Sequence, residues 1–122
     1  MLNAIIEKDE VDVLSGNIVY YHFPGTSHTA FFCPVCATYV WSQYNGGSLG
    51  SCWFVRVGTL DEPDLLPPDV HIFTSSKQPW VQIPNGAPRF EEYFNIRDVW
   101  QESSITRMEP HWRDCQPPAK SD

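Results

Sequence analysis

The sequence has few basic residues for its length. Its 122 residues include 8 Lys and Arg against 15 Asp and Glu, and the formal net charge is -7 at pH 7. Proteins that bind the phosphate backbone of a nucleic acid rely on clustered Lys and Arg, whereas the basic residues here are scattered. We therefore expect no nucleic-acid partner through a basic face.

Long apolar runs are also missing. No segment approaches the roughly 18 to 20 apolar residues that a membrane-spanning helix requires, and the run from Met1 to Ile6 is too short for a signal peptide. Without a secretory signal, the 4 cysteines do not indicate a disulfide framework. We expect no membrane partner and an intracellular, cytoplasmic protein.

The composition is poor in helix-forming patterns and rich in residues that interrupt helices. There are 11 Pro and 7 Gly, and aromatic residues make up 14% of the chain. A chain of this length forms one domain, and this composition favours a loop-rich all-β architecture. We predict a single all-β domain over residues 1–98, followed by a polar C-terminal tail over 99–122 that is either a short helix or irregular.

Several segments carry the alternating or aromatic pattern of β-strands. One predicted hairpin joins residues 5–14 to residues 18–23 through the turn Ser15-Gly16-Asn17. Three further predicted strands cover residues 29–32, 38–44 and 52–57, and Asn45-Gly46-Gly47-Ser48 marks a turn before the last of them.

The second half of the chain gives weaker signals. We predict a short helix over residues 90–93 and a disordered segment over residues 117–122. Trp80 and Phe90 are predicted to anchor the core, because large aromatic side chains dominate the cores of small domains.

The most informative stretch is a Cys-x-x-Cys turn between two of the predicted strands. Cys33 and Cys36 are separated by Pro34 and Val35, and such a turn can direct both thiolates at one tetrahedral zinc ion. Redox pairs normally open a helix in a βαβ setting, which the flanking strands do not provide. A zinc knuckle is the favoured interpretation, and a redox pair or two inert thiols remain alternatives.

Other residues are weaker candidates as metal ligands. Cys52 lies at a spacing from Cys36 that occurs in zinc sites, but a buried strand residue is the favoured interpretation. His22 and His28 are expected to serve as hydrogen-bonding groups, and His71 to orient a loop through its ring. Cys115 is expected to be a free thiol in the tail.

Six short motifs follow one another in an order that is more specific than any of them alone: Phe32-Cys33-Pro34-Val35-Cys36, Gly58-Thr59-Leu60-Asp61, Pro67-Pro68, His71-Ile72-Phe73, Pro79-Trp80 and Gly86-Ala87-Pro88-Arg89-Phe90. Their order and spacing make residues 5–95 resemble the glutathione-dependent formaldehyde-activating enzyme and centromere protein V family. Ala37 stands where that family usually has Gly.

The resemblance implies a β-tent domain built around a structural zinc, with Cys33 and Cys36 matching two of its four cysteine ligands. It also implies a carbon-sulfur lyase activity on the adduct of glutathione and formaldehyde, S-hydroxymethylglutathione, so glutathione or another thiol adduct is the expected partner. The family's remaining zinc ligands lie in N-terminal cysteine motifs, and this chain has no cysteine before Cys33.

Two expectations follow from the missing cysteines. The chain looks like a family member whose N-terminal portion is missing, and its enzymatic activity is left open because an open catalytic zinc normally needs three protein ligands. The alternative is a non-catalytic β-scaffold with a vestigial zinc site.

Overall fold

A computed structural model describes residues 1–45 and 49–114 of the protein. The chain divides into two compact units, which are described separately. The first unit contains Met1–Pro63 and the chain from Met108 onward, and the second contains Asp64–Arg107. The predicted domain boundary at residue 98 stays a prediction.

The first unit contains a five-stranded antiparallel sheet. Its strands in spatial order are β1, β5, β4, β3 and β2. They span Asn3–Glu7 (β1), Val19–His22 (β2), His28–Phe32 (β3), Tyr39–Tyr44 (β4) and Cys52–Arg56 (β5). The fold is therefore mostly β, as the composition predicted.

The predicted strands around the Cys-x-x-Cys turn are confirmed. β3 and β4 pair in antiparallel register from His28 opposite Tyr44 to Phe31 opposite Trp41, and an irregularity follows at Phe32. The position of β5 also agrees with the predicted strand over residues 52–57. Aromatic and β-branched residues dominate these strands, and such residues pack well on a pleated, half-buried surface.

The predicted N-terminal hairpin is wrong. β1 pairs with β5, with Ile5 opposite Phe54, instead of with the strand that follows it in sequence. Val13 and Leu14, which were predicted to lie in β1, are outside any strand and are 59% and 95% exposed. Pairing with β5 places β1 beside Trp53 and Phe54, whereas the alternation near Val13 has no apolar surface to cover.

The two faces of the sheet carry different side chains. On one face, the ring centroids of Phe31, Trp41 and Trp53 lie between 4.9 and 5.8 Å apart. On the other, Ala30 and Cys52 are fully buried, and the Cys52 thiol donates to the sulfur of Met108 at 3.8 Å. Aromatic residues also occupy this second face, where the rings of Tyr44 and Phe54 lie 4.9 Å apart, so both faces of the sheet contribute to packing.

The second unit has little regular structure. A parallel β-bridge joins His71 to Arg89, and a single helical turn, α1, spans Ile96–Val99. A second helix, α2, spans Glu102–Asp114, so its last residues belong to the first unit. It supplies the predicted C-terminal helix, whereas residues 90–93 contain no helix, contrary to prediction.

Trp80 does not anchor a core, contrary to prediction. The side chain is 79% exposed, and the residue lies in a turn that is closed by the N–H of Val81 donating to the carbonyl of Gln78 at 3.0 Å. Phe90 is half-buried, with its ring 5.3 Å from that of Phe94. A turn exposes the residue at its tip whatever its side chain, and the sequence pattern did not reveal this turn.

Three predictions concern residues outside the described ranges. They are residues 46–48 of the turn at 45–48, the free thiol of Cys115 and the disordered segment at 117–122. Over residues 1–45 and 49–114, no helix has the length and apolar character needed to cross a membrane.

Candidate functional site

The Cys-x-x-Cys turn projects from the end of β3 and β4 and is held by its own backbone. The N–H of Cys33 donates to the carbonyl of Thr38 at 3.0 Å, and the N–H of Ala37 donates to the carbonyl of Cys33 at 2.8 Å. Ala37 has a φ of 61°, in the left-handed region that glycine favours. A glycine would adopt this conformation without the steric cost of a Cβ atom.

The turn presents its thiols outward. Cys33 is half-buried, and the residues from Pro34 to Thr38 are all exposed. Val35, between the cysteines, is 92% exposed. No disulfide is formed by Cys33 or Cys36, and the Cys33 side chain is a hydrogen-bond partner of Cys36. The two sulfur atoms therefore share one side of the turn.

Thr38 lowers the pKa of the Cys36 thiol. Its hydroxyl lies 3.1 Å from the Cys36 sulfur and, by hydrogen bonding to the thiolate, lowers the pKa of Cys36 below the ordinary 9.0. The backbone of Thr38 and the side chain of Cys33 lower the pKa further. The thiolate is the form of cysteine that binds metals and acts as a nucleophile. Thr38 was not among the candidate residues predicted from the sequence, although its position two residues after Cys36 was a usable signal.

The other candidate ligands lie away from the turn. His28 starts the strand that ends just before Cys33, so the two residues are separated by roughly 16 Å at about 3.3 Å per residue. The ring of His22 bonds to the Thr29 hydroxyl at 2.9 Å. Cys52 is buried against Met108. As expected, the two histidines act as hydrogen-bonding groups and Cys52 as a buried strand residue.

His28 occupies a stacked and polar environment. Its ring lies between those of Phe23 and Tyr44, each 4.8 Å away at an interplanar angle of 14°. Its Nε2 bonds to the buried Ser42 hydroxyl at 2.9 Å. Burial, followed by the charges of Arg56 and His22, lowers the pKa of His28. The neutral imidazole is therefore favoured. Its contacts stabilise the sheet, and the ring is not placed to act as a ligand beside Cys33 and Cys36.

Among residues 1–45 and 49–114, no group of three or more His, Cys, Asp or Glu side chains is arranged to hold a metal ion. Thiolates are preferred zinc ligands, and a closed structural site uses four ligands. Cys33 and Cys36 therefore fit half of a tetrahedral zinc site.

The second unit contains a separate open cavity of about 440 Å³. Prolines form much of its wall, and its polar lining residues include Asp69, His71 and Asn85. The backbone of His71 fixes this wall, because its N–H donates to Pro88 and its carbonyl accepts from Phe90. The Arg89 guanidinium donates to the carbonyl of Ile83 at 3.0 Å. The role predicted for the His71 ring stays a prediction.

A comparison with protein families identifies the family of the domain that carries the turn. The family model described as glutathione-dependent formaldehyde-activating enzyme matches residues 1–76, which is more than half of the chain and includes all five strands. The chain belongs to this family. No curated protein and no solved structure matches it.

The family match and the sequence resemblance cover different lengths. The match includes the Cys33 to Cys36 turn and His71, whereas Trp80 and Arg89 lie beyond its last residue. The C-terminal motifs therefore rest on the resemblance alone.

Proposed function

We propose that this protein is a zinc-binding β-domain of the formaldehyde-activating type, and that its small-molecule partner is the glutathione–formaldehyde adduct S-hydroxymethylglutathione. In this proposal Cys33 and Cys36 form the zinc knuckle, and the five-stranded sheet is part of a β-tent. The observation that carries the proposal is the family match over residues 1–76, which spans the preformed turn.

The turn supports a structural role for the metal. Its backbone hydrogen bonds fix the position of Cys33 relative to Thr38 and Ala37, so both thiols are oriented before any ion arrives. When bound, zinc would supply the positive charge that holds two thiolates together. The exposed residues from Pro34 to Thr38 leave the outer side of the site accessible.

The carbon-sulfur lyase step would require more zinc ligands than this turn provides. An open zinc position that polarises a thiol or carbonyl normally requires three protein ligands, whereas the turn supplies two. We expect this chain alone to bind the adduct without accelerating its formation. Intracellular glutathione keeps thiols reduced, and an intracellular location fits the proposal.

A non-catalytic scaffold is the second candidate function. It is favoured by the environments of His22, His28 and Cys52, which have partners within the sheet unit and are not directed at the turn. A scaffold of this kind would have only a vestigial zinc site and no affinity for the adduct. Adduct binding therefore separates the two candidates.

The experiment measures zinc content and adduct binding on the same purified protein. Zinc is determined by elemental analysis, and binding by NMR chemical shifts with glutathione and formaldehyde together. Glutathione alone and S-methylglutathione are the matched small-molecule controls. The variant Cys33→Ser/Cys36→Ser is the matched protein control, because serine preserves the backbone hydrogen bonds of the turn.

We expect zinc in the parent and none in the double variant, with shifts produced by the adduct mixture and not by glutathione alone. Equal zinc in both proteins would overturn the assignment of Cys33 and Cys36. Zinc binding without adduct binding would favour the scaffold. Adduct formation well above the spontaneous rate, abolished by chelation, would show that the lyase site is present in this chain.

A further inference from the structure

The half-built site has an exposed open side. Two thiolates leave a tetrahedral zinc ion with two positions to fill, and the described part of the chain brings no third His, Cys, Asp or Glu to them. The tip of the turn from Pro34 to Thr38 is exposed throughout. A ligand from a second molecule can therefore reach the metal without a rearrangement of the sheet.

The sequence around the turn is free of charged side chains. No Asp, Glu, Lys or Arg occurs from Val13 to Val55, although the chain as a whole carries a net charge of -7. Two copies of a strongly acidic protein repel each other over most of their surfaces. The stretch from Val13 to Val55 carries none of the acidic residues that cause this repulsion.

The tip of the turn also carries apolar surface. Val35 is 92% exposed, and Tyr39, at the start of β4, is 41% exposed with its ring 5.8 Å from that of Phe32. An apolar side chain held between two metal-binding thiols is suited to contact with an identical turn, because both partners then present the same apolar tip.

We propose that two copies of this protein share one zinc ion, which is bound by Cys33 and Cys36 of each copy, and that zinc thereby makes the protein a homodimer. The inference rests on the zinc site proposed above and names the source of its missing ligands. The four thiols lose their protons to solvent as the ion binds.

The bonds to zinc must supply most of the free energy of association between the two copies. Stable dimers bury roughly 1,200 Å² or more in total, and two short exposed turns bury far less. The dimer should therefore dissociate when zinc is removed. A symmetric pair also closes the site, because a two-fold axis through the ion brings two further thiolates and leaves no position open.

The test measures mass and metal together on the full chain. Light scattering after size exclusion gives the oligomeric state in the presence of zinc and after treatment with EDTA. Titration with Co²⁺ gives the stoichiometry, because four thiolates around cobalt produce intense sulfur-to-metal absorption and tetrahedral d–d bands. Cys115→Ser serves as the control variant, since it removes a thiol outside the turn.

We expect a dimer with one zinc per two chains, dissociation by EDTA and a cobalt endpoint at half an equivalent per chain. Cys115→Ser should behave like the parent, and Cys33→Ser/Cys36→Ser should be monomeric. Val35→Glu should weaken the dimer by at least tenfold through like-charge repulsion at the turn, whereas Val35→Gln should have a smaller effect.

Each other outcome overturns the inference in a recognisable way. A monomer with one zinc per chain at Cys33 and Cys36 would contradict the shared site while leaving the proposed zinc function intact. A protein that binds no zinc would contradict both. A dimer that survives EDTA, or loss of zinc in Cys115→Ser, would show that the association or the ligand set is different.

Discussion

The two compact units of this protein are stabilised in different ways. In the first, strand pairing buries Ala30 completely and leaves Trp41 9% exposed. In the second, backbone hydrogen bonds such as those of His71 to Pro88 and Phe90 hold irregular segments, and Trp80 remains 79% exposed. Regular pairing in the first unit gives the Cys33 to Cys36 turn a rigid base, whereas the second unit relies on local bonds.

The sheet offers a better base for the proposed zinc ligands than the second unit would. A binding site built on paired strands holds its side chains more precisely than one built on loops. The turn begins directly after β3 and ends just before β4, and the N–H of Cys33 extends the strand pairing by donating to Thr38. The cavity beside His71 has no such strand base and depends on proline-rich loops.

The largest expected effect on stability is at a buried tryptophan of the first unit, and an exposed tryptophan of the second unit provides the contrast. Trp41→Ala should lower the free energy of unfolding by about 3–5 kcal/mol, because it removes a buried ring that packs on Phe31 and Trp53. Trp80→Ala should change it by less than about 0.5 kcal/mol, as is usual for an exposed side chain. Urea unfolding followed by far-UV circular dichroism gives both values.

Trp41→Phe is the graded control for this pair, since it retains an aromatic ring beside Phe31. It should lose less stability than Trp41→Ala. If Trp80→Ala were as destabilising as Trp41→Ala, the contrast between a packed sheet and an exposed loop would be wrong.

Among residues 1–45 and 49–114, two non-glycine residues have a left-handed backbone, one in each unit, and a smaller effect is expected there. Ala37 has a φ of 61° and Phe73 a φ of 52°. Ala37→Gly should raise the free energy of unfolding by about 0.5–1 kcal/mol, because glycine removes the cost of a Cβ in this conformation and this gain exceeds its greater freedom in the unfolded chain.

Phe73→Gly should bring no such gain. Its ring stacks on that of Tyr93 at 6.3 Å, and the loss of an aromatic pair costs about 0.5–1.5 kcal/mol, which offsets the relief of the backbone. Thermal unfolding of both variants measures the difference. An equal gain in both would mean that the Phe73 ring contributes nothing to the second unit.

Much of the fold that holds the turn could be predicted, because β3, β4 and β5 carry dense aromatic and β-branched patterns. The partner of β1 could not, since β1 pairs with a strand about 50 residues away and local alternation contains no information on such pairing. The exposure of Trp80 was missed because its turn depends on a backbone bond from Val81 to Gln78. The C-terminal helix was only partly foreseen, because its polar sequence conceals the buried Met108.

The sequence predicted which two cysteines form the candidate site, but it did not predict the residues that surround them. Spacing alone indicated that Cys33 and Cys36 share a turn, whereas the contact of Thr38 with Cys36 depends on how that turn closes. The partners of His28 were hidden for the same reason. Ser42 lies on a different strand, and only the register of β3 with β4 brings its hydroxyl to the imidazole.

The smallest expected effect concerns the protonation of His28 in the first unit. It tests whether the environment of this side chain makes the free energy of unfolding depend on pH. Burial, then Arg56 and then His22 lower its pKa from the ordinary 6.5, so the unfolded chain binds a proton more readily than the folded protein. The contribution of His28 to stability is therefore complete above pH 6.5 and declines as the pH falls from 6.5 through the lowered pKa of the folded state.

His28→Gln should be less stable than the parent at pH 7.5, because it loses the stacking on Phe23 and Tyr44, and this deficit should shrink at pH 5. Urea unfolding at both pH values measures the change, and the effect should persist at high salt because burial, which salt does not screen, is its largest cause. A deficit that stays constant with pH, or grows as the pH falls, would show that the fold does not disfavour protonation of His28.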